Sequence, residues 1–339
     1  MKVLNFMSLI LLAALFLTSC DKDLEVEDSP RENFELLWKT IDERYCFFEH
    51  KKDSIKDWND VYDEYSPMIH DDMSQYDLFN VLGSMLNELK DGHVNLVSAF
   101  DVSRYDLQGD YPFNFDINVL EGSRYLGKDY KKAGGILYKR LSDDVCYMYY
   151  SSFSNSFNDS NLNHILYHFK DTKGIIIDIR NNGGGAATNV EALADRFVDE
   201  KLVVGYWQYK TGKAHGALSV PRKVYLEPDI DNLRYLRKVV VLTNRGCYSA
   251  ANDFVQTMKG LPNVKIVGDR TGGGAGMPVS SELPNGWSVR FSTAPYMDKD
   301  MKYTEFGIEP DVYVDMSKDD AERGIDSIIE LACRMIAEE

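Results

Sequence analysis

The chain has 339 residues, a net charge of −16, and 44% hydrophobic and 27% charged side chains, an ordinary globular balance that can bury a sizeable core in one large domain with appendages or in two domains. That charge excludes nucleic acid as a partner, because neutralising phosphates takes clustered Lys and Arg that the sequence lacks. It indicates a soluble, self-repelling surface and little else.

The first element is a leader. Met1-Lys2 precedes an apolar run from Val3 to Leu17 and then Thr18-Ser19-Cys20, the layout of a secretory signal rather than a structural helix. Leu17-Thr18-Ser19-Cys20 resembles a bacterial lipoprotein processing box, with Cys20 as the acylated first residue; a plain signal peptide or an uncleaved anchor are the competing readings. The resemblance implies a lipid-anchored protein of the bacterial cell envelope, periplasmic or at the outer membrane or cell surface, each buried methylene of the lipid contributing about 0.8 kcal/mol. Residues 21–31 are an acidic, weakly apolar tether. Cys46, Cys146, Cys247 and Cys333 are widely spaced, unlike the close pairs of a zinc site, and are open to either disulfide pairing or burial as free thiols.

Residues 32–100 read as an N-terminal helical domain. Phe34, Leu37, Trp38 and Ile41 recur at spacings of three and four, and Leu78, Val81, Leu82, Met85 and Leu89 repeat the pattern. Gly92 breaks the second helix and 94–97 reads as a strand, so His93 lies at a helix-to-strand junction. Residues 101–144 hold short β-like pieces at 113–119 and 135–138, a small β element. From 145 to 339 the pattern is an α/β core. Its pieces are a strand at 145–150, a helix at 161–169 and a strand at 174–180 apolar enough to be buried on both faces. Gly183-Gly184-Gly185 follows, then a helix at 190–197 opened by a Thr188/Glu191 capping box. The apolar run 239–243 breaks through Asn244-Arg245-Gly246-Cys247-Tyr248 into Ser249 and the helix-like stretch 250–258. Strands at 264–267 and 287–293, separated by the glycine loop 271–276, then 311–314 and a helix at 319–337, close the chain.

Ser249 thus sits at a strand-to-helix turn, where the first helical amides lack intrahelical partners and favour negative charge. Taken alone, that position fits an N-cap serine; taken as chemistry, it fits a nucleophile with an oxyanion site supplied partly by the Ala250 amide. The Gly183 loop matches neither dinucleotide nor lysine-bearing phosphate spacing. It is a simple turn or a loop whose amides, from Gly183 or Gly184, face a ligand beside Ser249. Among six histidines, His50 and His70 sit in polar helix ends, His164 and His168 share one face of a predicted surface helix without a third metal ligand, and His215 lies in a Lys/Gly loop. His93 is the one held between two ordered elements, a place that fits a base and equally, taken alone, a capping or buried histidine. No metal site and no cofactor is indicated.

Leu89-Lys90-Asp91-Gly92-His93, the run from Gly174 to Gly185, Ser249-Ala250-Ala251, Val267-Gly268-Asp269-Arg270-Thr271-Gly272-Gly273 and Gly307-Ile308-Glu309-Pro310-Asp311 occur in that order. In order and spacing they resemble the serine peptidase family of carboxyl-terminal processing proteases and the tricorn protease, over roughly 90–314. The resemblance implies a spiral ββα core of the Clp protease/crotonase type and hydrolysis of peptide bonds in peptide or protein substrates. The processing-protease branch takes its base from a lysine in the glycine loop, which here reads Thr271-Gly272-Gly273-Gly274-Ala275-Gly276 without one. The tricorn-like branch, with a histidine from the amino-terminal region, fits His93. It implies Ser249 as nucleophile, His93 as base, Ala250 with Gly183 or Gly184 at the oxyanion, and Glu305 orienting the imidazole. Gly92 replaces the serine that precedes the histidine in that pattern, and Asp91 is the alternative orienter. The interval 96–145 lacks the length and glycine pattern of a peptide-binding insert. A catalytically silent peptide- or ligand-binding lipoprotein on the same scaffold is the alternative function.

Overall fold

Alternation of doubly buried strands with amphipathic helices produces, in the computed structural model, a seven-stranded sheet with helices on both faces. The structure describes residues 28–338 apart from 107, 108 and 110; the leader and Cys20 lie outside the described residues.

Ser29 accepts the Glu32 N–H and Pro30 opens helix α1 (Pro30–Arg44), where a missing donor costs nothing. Helices α2 (Phe48–Lys51), α3 (Trp58–Tyr65) and α4 (Gln75–Asn87) follow, the last two capped by Asp57 and Ser74. Phe34, Leu37 and Ile41 from α1 and Leu78, Leu82 and Met85 from α4 share one core with Val289 and Phe291. This N-terminal layer thereby packs on a sheet whose strands are drawn from residues 95–297.

After β1 (Asn95–Val97) and β2 (Val102–Arg104), Asp116 accepts the Asn118 N–H at 2.8 Å and starts a short helix, α5 (Ile117–Leu120). The β-like reading of 113–119 is corrected by that local cap. Strands β3 (Lys131–Ala133) and β4 (Ile136–Arg140) extend the core sheet as its antiparallel edge. The chain continues through β5 (Val145–Tyr149), α6 (Asp159–Phe169), β6 (Gly174–Asp178), α7 (Ala187–Ala194), β7 (Leu202–Trp207), β8 (Arg222–Leu226) and β9 (Lys238–Thr243). It ends with α8 (Ala250–Lys259), β10 (Val264–Gly268), β11 (Gly276–Glu282), β12 (Ser288–Met297), β13 (Val312–Tyr313), α9 (Lys318–Glu322) and α10 (Ser327–Ala337).

The core sheet has the order β13-β10-β9-β6-β5-β4-β3, parallel from β13 to β5. Helices α6, α7 and α8 cover one face and α10 the other, which is why β6 is buried at every position. The second sheet runs β2-β1-β12-β7-β8, with β11 also pairing β12.

Two helix boundaries depart from the sequence pattern. α7 starts at Ala187 without a side-chain cap, not at a Thr188/Glu191 box. Its first turn is pinned instead by Asn189, whose amide reaches the Phe153 carbonyl at 2.8 Å. The terminal helix is two pieces, interrupted where Gly324 takes φ +73°, a conformation glycine adopts without strain.

Candidate active site

Two turns at the carboxyl ends of neighbouring strands β6 and β9 are laced together. Asn181 and Asn244 exchange a reciprocal pair of bonds, N–H to Oδ1 at 2.9 Å and Nδ2 to Oδ1 at 2.7 Å, and Tyr248 N–H donates to the Asn182 carbonyl at 3.1 Å. Buried Asn182 in turn bonds the Tyr150 carbonyl and the Phe153 and Gly184 amides. The glycine loop and the serine turn are therefore one unit, fixed by asparagines that no sequence periodicity singles out.

Ser249 occupies φ +56°, ψ −125° and makes no side-chain cap bond. A non-glycine residue there carries strain of about 1–3 kcal/mol, which the surroundings hold through Ser249 N–H to the Gly273 carbonyl at 2.9 Å and Asp253 N–H to the Ser249 carbonyl at 3.0 Å. The hydroxyl is thus not spent on the helix. It meets His93 Nε2 at 2.9 Å. Nε2 accepts that proton only if Nδ1 carries the ring hydrogen, and Nδ1 faces the buried Ser292 hydroxyl at 3.4 Å, an acceptor for it. Tyr248 lies against the imidazole, ring centres 5.0 Å apart.

His93 is 2% exposed. Burial pushes its pKa down to about 4; Asp91 opposes the shift, and Arg290 and Lys51 add to it. It is therefore neutral and able to take a proton at physiological pH.

The two carboxylates expected beside the imidazole do other work. Asp91 accepts the His93 backbone N–H at 2.8 Å and the Tyr45 hydroxyl at 2.6 Å, fixing the chain beneath the ring rather than the ring itself. Glu305 accepts the Ala275 N–H at 2.9 Å and pairs with Lys51 at 2.7 Å, while Lys51 also reaches Asp91 at 3.2 Å. The expectation that Glu305 orients His93 is corrected to this: its oxygens are taken by Lys51 and the glycine loop, whose Gly274 N–H also bonds the Glu305 carbonyl at 2.9 Å. Lys51, Asp91 and Glu305 are 2%, 0% and 4% exposed. Burial, reinforced by Asp91, pushes Glu305 up to about 7. Burial opposes charge on Asp91 too, but Lys51, His93 and the bonds from Tyr45 and the His93 backbone together outweigh it and hold Asp91 below the usual carboxylate range.

Gly184 presses against Ser249: a Cβ there would stand 2.7 Å from the Tyr248 carbonyl oxygen and 2.8 Å from Ser249 Cβ. Its N–H, however, donates to Asn182 Oδ1 at 2.9 Å. Of the two glycine amides considered for an oxyanion site, that of Gly184 is already engaged, leaving that of Gly183, which is exposed.

The remaining histidines lie elsewhere. His215 bonds Asp42 at 2.7 Å and stacks on Phe48, His50 packs near Tyr303 and Phe306, and His164 and His168 pack by Tyr138 on α6. Among the described residues no group of three or more His, Cys, Asp and Glu is placed to hold a metal ion. Cys46, Cys146, Cys247 and Cys333 are free thiols, the first three buried. Lys51 and Ser292 are the site residues that the sequence did not reveal. A lysine closing the aromatic-rich run from Tyr45 to Lys51 was the available signal for one; nothing distinguished the other.

The model of peptidase family S41 matches residues 144–314, and that of the tricorn protease C1 domain matches 26–87. A CtpA-like serine protease of Staphylococcus aureus is 27% identical over 172 residues, 50% of this chain and 33% of that protein. The chain thus spans about a third of the length of the curated relatives it matches. A crystal structure from Parabacteroides merdae is 51% identical with a TM-score of 0.85, covering 91% of this chain and 97% of that one. Mature CPAF, at 13% identity, has the same fold, with a TM-score of 0.69 over 92% of this chain and 98% of its own.

Proposed function

The chain belongs to peptidase family S41, and from that membership we propose that it hydrolyses peptide bonds in peptide or protein substrates through an acyl-enzyme on Ser249. The observation that carries this reading is the 2.9 Å contact between His93 Nε2 and a serine hydroxyl held on strained backbone. Neutral His93 takes the Ser249 proton as Oγ attacks the carbonyl carbon. The imidazolium then gives that proton to the leaving amine. Water, deprotonated by the same nitrogen, attacks the ester and releases the acid product. The Ala250 and Gly183 amides receive the oxyanion, one such donor contributing about 3–4 kcal/mol to the transition state. Only side chains, backbone amides and water take part in these steps.

The pH profile tests the base. With His93 near 4, kcat/KM for a peptide rises through a pKa of about 4 and is level across neutrality, lower than the 6.5 to 7 that an unburied histidine gives. A limb that rises only above about pH 9, as a lysine base of ordinary pKa produces, contradicts the assignment. The same burial makes folding stability fall as pH drops from the unfolded value of 6.5 through about 4, because only the unfolded chain takes up the proton in that window.

We also propose attachment to the bacterial envelope through acylated Cys20, on the leader pattern of residues 1–20. Metabolic labelling with an alkyne fatty acid should tag the full chain and not Cys20→Ser; equal labelling of both contradicts it.

A further inference from the structure

Helix α8 begins at Ala250, directly after Ser249, and the side chain one turn beyond the serine on the same side is Asp253. Between α7, α8 and strands β7, β8 and β12 lies a cavity of about 230 Å³. Val190, Val204, Trp207, Val224 and Tyr296 supply apolar wall, with Trp207 stacked on Tyr296 at 4.4 Å. Because α7 starts two residues after Gly185, the cavity is bounded by the two helices that leave the serine turn and the glycine loop.

Asp253 is the inner acid of this lining. Its Oδ1 is shielded from solvent and has no hydrogen-bond partner among the described residues. The lining includes no Lys, Arg or His; its other charged side chain is a second carboxylate, Glu191, exposed on α7. Burial, with Glu305 adding to it, pushes Asp253 up to about 7. A carboxylate oxygen shielded from water without a counter-charge is unfavourable, and a ligand that brings a cation removes that penalty. Aromatic and aliphatic walls ending at an acid suit a long methylene stem with a charged head.

Resting on the hydrolase reading above, we propose that this cavity receives the side chain on the acyl side of the scissile bond and that Asp253 selects lysine or arginine there. The carboxylate acts on binding, not on the bond that breaks.

The test uses the full chain in mild detergent and a peptide set varied only at that position. Lysine and arginine peptides should exceed the leucine peptide by about 10²-fold in kcat/KM, the scale of a desolvated charge pair. Asp253→Asn should abolish the preference and Asp253→Leu invert it. A wild-type preference for leucine or alanine, or a basic preference that survives in Asp253→Asn, overturns the proposal. Benzamidine binding separates this inference from the hydrolase reading, since it needs no catalysis. Wild-type binding weakened about tenfold or more in Asp253→Asn supports the cation site even if no peptide is cleaved. Absence of benzamidine binding to the folded wild type overturns it.

Discussion

Ser249→Ala should lower peptide hydrolysis by about 10⁴- to 10⁶-fold in kcat, the range for removing a serine nucleophile that acts as a unit with its base. The fold should survive, since alanine deletes one oxygen whose sole hydrogen-bond contact among the described residues is His93 Nε2, and the positive-φ strain is carried equally by alanine. Thermal unfolding and circular dichroism of the variant check that the loss is chemical. Adding His93→Ala to it should cost almost nothing more, because a base without its nucleophile has no proton to take. Activity within about tenfold of wild type in Ser249→Ala would remove the serine from the chemistry.

Lys51→Met should destabilise the chain by about 3–5 kcal/mol, the cost of stripping the counter-ion from a buried charge cluster. The variant leaves Asp91 and Glu305 buried without the ammonium that lies 3.2 and 2.7 Å from them. Denaturant unfolding measures the loss, and its pH dependence identifies the cause. Without Lys51 both carboxyls have folded-state pKa values raised above their unfolded ones, so the variant keeps stability at acid pH and loses it as pH rises. The deficit relative to wild type is therefore smaller at pH 5 than at pH 8. Adding Asp91→Asn and Glu305→Gln should recover much of it, as a neutral cluster needs no counter-ion. A deficit independent of pH would mean that Lys51 contributes packing alone. Activity should fall with stability, because Asp91 holds the His93 backbone and Glu305 holds the Ala275 amide of the loop that supports Ser249.

The parts of this molecule visible in its sequence are those whose signal is local. β6 and β9 read clearly because a strand buried on both faces is apolar throughout. α1 and α4 read because one face repeats every three to four residues. β7, β8 and β11 escaped, since they are partly exposed and β11 contains Pro278 and two serines. In the site, Ser249 and His93 were legible only through the order of motifs along the chain; each alone had an ordinary structural explanation. Glu305 was noticed, but its partner depends on where α2 places Lys51, and that is tertiary information. Ser292 and Asp253 are further cases: one lies on a strand paired with β1, the other on a helix whose amphipathic pattern says nothing about an unpaired acid. Gly184 shows the limit within a motif, because whether its amide is free depends on the rotamer of Asn182.

In the proposed mechanism His93 activates Ser249 in the folded chain. Intact mass and peptide mapping after reaction with a fluorophosphonate test it most directly. A single adduct on Ser249, formed at neutral pH and greatly slowed in His93→Ala with the fold intact, is the predicted result. A folded wild-type chain that acquires no adduct at Ser249, or one that labels equally fast without His93, would contradict it.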